Sequence, residues 1–118
     1  MKVMIVDDSK HILLLVEEML VTQGHKVMKA ENGAIARELA MQTPDIDLIL
    51  LDWNMPEMDG PTFLEKNQQE SFTKAAIIMM TTESGVEQIT KAMSLGAREY
   101  IMKPFTQDIL KSKISMIA

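Results

Sequence analysis

The chain has 118 residues, enough for one ordinary domain and too few for two. Hydrophobic residues make up 47% and charged residues 25%, a globular balance, and the lack of cysteine excludes a disulfide framework or a thiolate metal site. The net charge of −5, with 17 acids against 12 bases and no basic stripe, argues against a nucleic-acid partner.

No membrane span is expected, because the longest apolar run, 75–80, is far short of the roughly 20 residues a bilayer needs. The N-terminal apolar stretch Val3–Val6 stops at once on Asp7 and Asp8, which is not a signal peptide. A cytoplasmic setting is therefore expected.

A short apolar run followed by a longer amphipathic stretch recurs about five times, the pattern of βαβ units and a parallel sheet covered on both faces. The first strand is Val3–Val6. A helix follows over Ser9–Gln23, with Ile12, Leu15, Val16, Met19 and Leu20 at helical spacing, Ser9 as N-cap and Gly24 as stop. Lys26–Lys29 is a shorter, less apolar strand suited to a sheet edge. Helix two spans Gly33–Gln42, with Ile35, Ala36, Leu39 and Ala40 on one face, and stops before Pro44.

Leu48–Leu51 is a buried strand, followed by the punctuated loop Asn54–Gly60. Pro61 suits the first position of helix three, where its missing N–H has no role. Ala75–Met80 is strand four. Ser84-Gly85-Val86-Glu87 has capping-box spacing and opens helix four, which ends near Gly96. Glu99–Met102 is strand five, and Thr106 can cap a last helix carrying Ile109, Leu110, Ile114 and Ile117.

The informative residues lie just past the strands: Asp7-Asp8 after the first, Asp52 after the third, Thr81-Thr82 after the fourth, Lys103-Pro104 after the fifth. In an open parallel sheet these ends share one edge, where ligands bind. Two carboxylates about 4 Å apart repel by roughly 4 kcal/mol at an effective dielectric near 20. One lysine cannot offset three acids, so the cluster implies a bound cation. All-oxygen ligands without Cys or His favour Mg²⁺ over zinc. A carboxylate can also attack phosphorus to form an acyl phosphate. Lys103 and the metal would spread charge on the transferring oxygens, and Thr81 could donate a hydrogen bond to the product.

The segments Val6-Asp7-Asp8-Ser9, Leu51 through Gly60, Met80-Thr81-Thr82-Glu83 and Tyr100 through Thr106 together resemble a response-regulator receiver domain, over essentially the whole chain. The run Asp52-Trp53-Asn54-Met55-Pro56, with Tyr100 and Lys103-Pro104-Phe105-Thr106, is most similar to the stand-alone chemotaxis receivers of that family. The resemblance implies a doubly wound (βα)₅ flavodoxin-like sandwich with strand order 2-1-3-4-5, and one receiver domain over residues 1–118. It implies that Asp52 is the phosphoacceptor. Asp7, Asp8, Asp52 and the Asn54 backbone carbonyl hold Mg²⁺. Lys103 contacts the phosphoryl group across a cis Lys103–Pro104 bond. Thr81 moves toward the phosphoryl group, Tyr100 turns into the vacated space, and Asn54 and Glu83 tune autodephosphorylation.

By the same resemblance, helix four, strand five and helix five form the output face, with Val86, Ile89, Tyr100 and Thr106 on it. The implied partners are a histidine kinase as donor, a downstream target such as the flagellar motor switch, and a phosphatase. No membrane or nucleic-acid partner is implied, and a monomer is the simplest state. The chain departs from the family's common pattern at Glu57, Pro61 and Val86.

Taken singly, each of these residues is ordinary: an aspartate pair can cap a helix, a lysine can be solvated, and two threonines can end a strand. His11 and His25 read as surface residues, the 12 methionines as core filling, and Glu17-Glu18 as a solvated face. Three other readings remain. Aspartyl-phosphate-forming phosphatases also use strand-end acids with Mg²⁺, but they place a second acid two residues after the nucleophile, where this chain has Asn54. A passive scaffold would lack an acid or the lysine. A receiver cut from a larger regulator, or a single-domain regulator outside chemotaxis, would share the motifs; the lack of a linker after the last helix favours a stand-alone module.

Overall fold

The computed structural model of the chain describes residues 1–82 and 85–117. Within them, five strands and five helices alternate: β1 Lys2–Val6, α1 Lys10–Thr22, β2 Lys26–Ala30, α2 Gly33–Gln42, β3 Leu48–Asp52, α3 Gly60–Glu70, β4 Ala76–Thr81, α4 Val86–Ser94, β5 Glu99–Met102 and α5 Gln107–Ile117. All strand pairs are parallel and the order is β2-β1-β3-β4-β5. This is the doubly wound flavodoxin-like arrangement, with the order reversing between β1 and β3.

Alternation along each strand sends successive side chains to opposite faces. Val3, Ile5, Leu48, Leu50, Ile78, Met80 and Ile101 pack with α1 and α5 through Leu13, Val16, Leu20, Leu110 and Ile114. Met4, Val6, Ile49, Leu51, Ile77 and Met79 pack on the other face against α2, α3 and α4. The central strand β3 is buried throughout, as expected of a strand covered on both sides.

Helix starts follow their side-chain caps. The Ser9 hydroxyl accepts from the Ile12 N–H at 3.3 Å, Asn32 accepts from Ile35 N–H at 2.8 Å, and Thr106 accepts from Ile109 N–H at 3.2 Å. Asp59 caps α3, accepting from Thr62 N–H at 2.9 Å, so helix three begins at Gly60 and Pro61 occupies its second position rather than its first. Gly24 and Gly96 take positive φ after their helices, the expected stop conformation. Gly85 stands at the N-cap of α4 without a side-chain cap; Glu83 and Ser84, and with them the capping-box Ser, lie outside the described residues.

Several sequence expectations shift. β4 starts at Ala76 and takes in Thr81. The α1 stripe is centred on Leu13, Val16 and Leu20, which leaves Leu15 41% exposed; it lines, with Ile12, Met19 and Phe105, a cavity of about 250 Å³ between α1 and the β5–α5 turn. Ile35 and Ile109 are exposed, because α2 buries Ala36 and Ala40 and α5 buries Leu110 and Ile114.

Candidate functional site

Register brings the strand-end residues together. Val6 pairs with Leu51, so Asp7 and Asp52 leave neighbouring strands side by side. Asp52 pairs with Met80, and Thr81 with Met102, so Thr81 and Lys103 follow on the next two strands. Main-chain bonds extend the ladders past the side-chain layer: Asp7 N–H donates to Ala30 C=O at 3.1 Å, Trp53 N–H to Met80 C=O at 3.0 Å, and Lys103 N–H to Thr81 C=O at 2.8 Å. These bonds, with the strand registers, hold the backbone at Asp7, Asp52, Thr81 and Lys103.

Two close approaches shape the rim. Gly60 N–H donates to Trp53 C=O at 3.0 Å, and a Cβ on Gly60 would lie 2.6 Å from the Asp52 carbonyl oxygen, so only glycine lets α3 start against the acceptor strand. A Cβ on Gly33 would lie 2.7 Å from the Met58 carbonyl oxygen, so the loop after Asp52 is held against the start of α2.

The Lys103 ammonium lies between two carboxylates, 2.7 Å from Asp52 Oδ1 and 2.8 Å from Asp7 Oδ2. Asp7 is 1% exposed and its other oxygen accepts from Ser9 N–H at 2.9 Å. Asp52 is 6% exposed and Thr81 3%. Asp8 is exposed, and carboxylate oxygens of Asp7, Asp8 and Asp52 lie within 4.8 Å of one another. The Lys103–Pro104 bond is cis, as expected.

The electrostatics are tense. Burial raises the Asp52 pKa; its hydrogen bond to Lys103 pulls the other way, and the charge of Asp7, then of Asp8, adds to the rise. Burial works against the Lys103 ammonium, but its hydrogen bonds to Asp52 and Asp7 outweigh that, and its pKa stands above the ordinary lysine value. One lysine thus holds two of three crowded acids, and the third faces solvent. A cluster of carboxylate oxygens with one open side and no nitrogen or sulfur donor is what a hard divalent cation takes, so the donor set fits Mg²⁺.

The structure places the other predicted residues outside this cluster, on the loop after β3, on β5, on α4 and at the start of α5. Asn54 is exposed in the loop after β3. Tyr100 is half-buried on β5, Ile89 half-buried on α4, and Val86 79% exposed at the start of α4; Thr106 is exposed at the start of α5. Glu83 lies outside the described residues. Three contacts were not foreseen from the sequence. The Asp7–Ser9 bond had a signal, an aspartate two residues before a main-chain donor. So did the Asp59 cap, three residues before Thr62. The link from Glu99 and Lys113 to Tyr100 crosses elements and had none.

A doubly wound parallel sheet with this acid–lysine cluster at its carboxyl edge defines the receiver class of signalling domains. The chain belongs to the response regulator receiver domain family, whose model matches residues 3–115. It is similar to the chemotaxis protein CheY homolog of Campylobacter jejuni, 38% identical over 97% of this chain and 89% of that protein. It is also similar to the chemotaxis protein CheY1 of Helicobacter pylori, 37% identical over 99% of this chain and 96% of that one. The solved structure of Vibrio cholerae chemotaxis protein CheY4 superposes with a TM-score of 0.90 at 32% identity, covering 99% of this chain and 98% of that chain. The chain is therefore a CheY-like receiver domain of two-component signalling.

Proposed function

We propose that the chain is a phosphorylation-dependent switch that takes a phosphoryl group on Asp52 from a histidine kinase and signals through α4, β5 and α5, in chemotaxis. The observation that carries this reading is the Lys103 ammonium bridging Asp52 and Asp7 beside a third, open carboxylate.

Asp7, Asp8 and Asp52 would hold Mg²⁺, with the Asn54 backbone carbonyl. Bound there, the ion supplies Lewis-acid stabilisation of the transferring phosphoryl oxygens. An Asp52 carboxylate oxygen attacks phosphorus on the kinase phosphohistidine; the new O–P bond forms as the P–N bond breaks, and the imidazole leaves and takes up a proton. Lys103 already touches the attacking carboxylate, so its ammonium can pair with a phosphoryl oxygen with little rearrangement. The ladder beneath holds Asp52 and Lys103 in register, which favours a fixed line of approach for the donor. Thr81, at the end of β4, then donates to the new phosphoryl group, and Tyr100 on β5 follows. Asn54 and Glu83 set how readily water reaches the acyl phosphate.

The same reading makes the chain an acceptor rather than an enzyme acting on external phosphate esters. Asn54 stands where a phosphatase of this chemistry keeps a proton-transferring acid. No release of p-nitrophenol from p-nitrophenyl phosphate is expected beyond background. A cytoplasmic location fits this role, and among the described residues no helix is long and apolar enough to cross a membrane. The partner on the output face is the flagellar motor switch, which must accommodate Val86.

The single tryptophan, Trp53, adjoins Asp52 and is half-buried, so it reports on the site. Adding Mg²⁺ and then acetyl phosphate should change its fluorescence in two steps, with a phosphate found on residue 52 by mass spectrometry. Asp52→Asn should abolish the second step. A second step that survives in that variant would place the chemistry on another residue.

A further inference from the structure

The edge strand β5 carries a cluster that the phosphoryl chemistry does not use. Glu99 Oε1 accepts from Tyr100 N–H at 3.0 Å and from the Lys113 ammonium at 3.2 Å. The same ammonium sits 4.5 Å from the centroid of the Tyr100 ring, well inside the roughly 6 Å within which a cation is held by an aromatic face. The Glu99 and Lys113 side chains are only 14% and 23% exposed, so this pair is set into the surface rather than waving in solvent. Lys113 reaches the ring from α5, whose buried residues Leu110 and Ile114 pack on the opposite face of the sheet from Tyr100. The lysine therefore wraps the sheet edge, and its hold on the ring is separate from the packing of its own helix.

We propose that Lys113, tethered by Glu99, is a positioning residue that holds the Tyr100 ring in its resting place, so that the ring's response to phosphorylation requires this contact to be given up. This rests on the reading of Tyr100 as the ring that follows Asp52. Satisfying the Tyr100 N–H at a sheet edge needs only the carboxylate; the lysine adds nothing to that bond, and its seat over the ring acts on the ring alone. The lock opposes activation, and its strength sets how much of the active form exists before phosphate arrives.

Tyr100 is the single tyrosine, so 3-fluorotyrosine gives one ¹⁹F resonance. It is recorded in the metal-free protein and after Mg²⁺ with beryllofluoride, with Trp53 fluorescence confirming that the site fills. Lys113→Met keeps the alkyl stem and removes the charge. Its resonance in the unfilled state should move toward the filled position, corresponding to about a two- to fivefold shift in the equilibrium, the size of one partly exposed cation over a ring. Lys113→Arg should return it to the wild-type position, and Glu99→Gln should move it in the same direction as Lys113→Met. An unfilled-state resonance that Lys113→Met leaves in place, or that Lys113→Arg fails to restore, overturns the lock. A wild-type resonance that ignores beryllofluoride while Trp53 responds overturns the switch reading of Tyr100 instead, and the lock's regulatory role with it.

Discussion

Glu57 holds φ at +68°, the left-handed region that β-carbons disfavour. It lies in the loop between Asp52 and the Asp59 cap, where both ends are fixed: Trp53 by Met80 and Gly60, Asp59 by its bond to Thr62. The backbone there is imposed by its neighbours, and glutamate has neither the freedom of glycine nor the local hydrogen bonding that lets asparagine enter this region. Glu57→Asn should therefore raise stability by about 1 kcal/mol. Urea denaturation of the two proteins checks it; an unchanged or lowered midpoint would mean that the glutamate side chain makes a compensating contact.

At the scale of elements, helices differ in how firmly they are anchored. α1 sinks Leu13, Val16 and Leu20 into the core, whereas α4 buries only Ala92 among its described residues. One methyl group is a light anchor, which suits the shifting output helix proposed above. Native-state hydrogen exchange should show α4 amides opening at lower free energy than those of α1. Equal protection in the two helices would remove α4 as the responding element. Much of this level was legible in the sequence. Short apolar runs ending in Asp7, Asp52, Thr81 and Lys103 gave the strands and the shared edge, since a parallel sheet leaves few other places for such residues. Helix faces were less legible. In α1, Ile12 through Val16 are all apolar, so periodicity alone could not choose between Leu13 and Leu15; the rotation is set by how the helix meets β1 and β3. Side-chain contacts between distant elements, such as Lys113 on Tyr100, leave no local pattern at all.

At the scale of the whole molecule, the three acids crowd negative charge at one edge of the metal-free fold. Burial first, and then the charge of Asp7 and Asp8, raises the Asp52 pKa against the pull of Lys103. A carboxyl whose pKa is higher folded than unfolded binds its proton better in the folded state. Its contribution to stability is therefore full below the unfolded value of 3.8 and is lost as pH rises through the higher folded value. At neutral pH the ionised Asp52 works against the metal-free fold, and Asp52→Asn, which mimics the uncharged form, should melt at a higher temperature than wild type in EDTA. Mg²⁺ should reverse the order. Binding to the folded state alone adds about 2.7 kcal/mol at a hundredfold excess over Kd, and the variant, short of one carboxylate, should gain less at the same concentration. Thermal melts of both proteins at neutral pH, in EDTA and across a Mg²⁺ series, test the crossing. If wild type is the more stable in EDTA, the Lys103 bridge outweighs the crowding of acids; if Mg²⁺ stabilises both proteins equally, Asp52 is not a ligand.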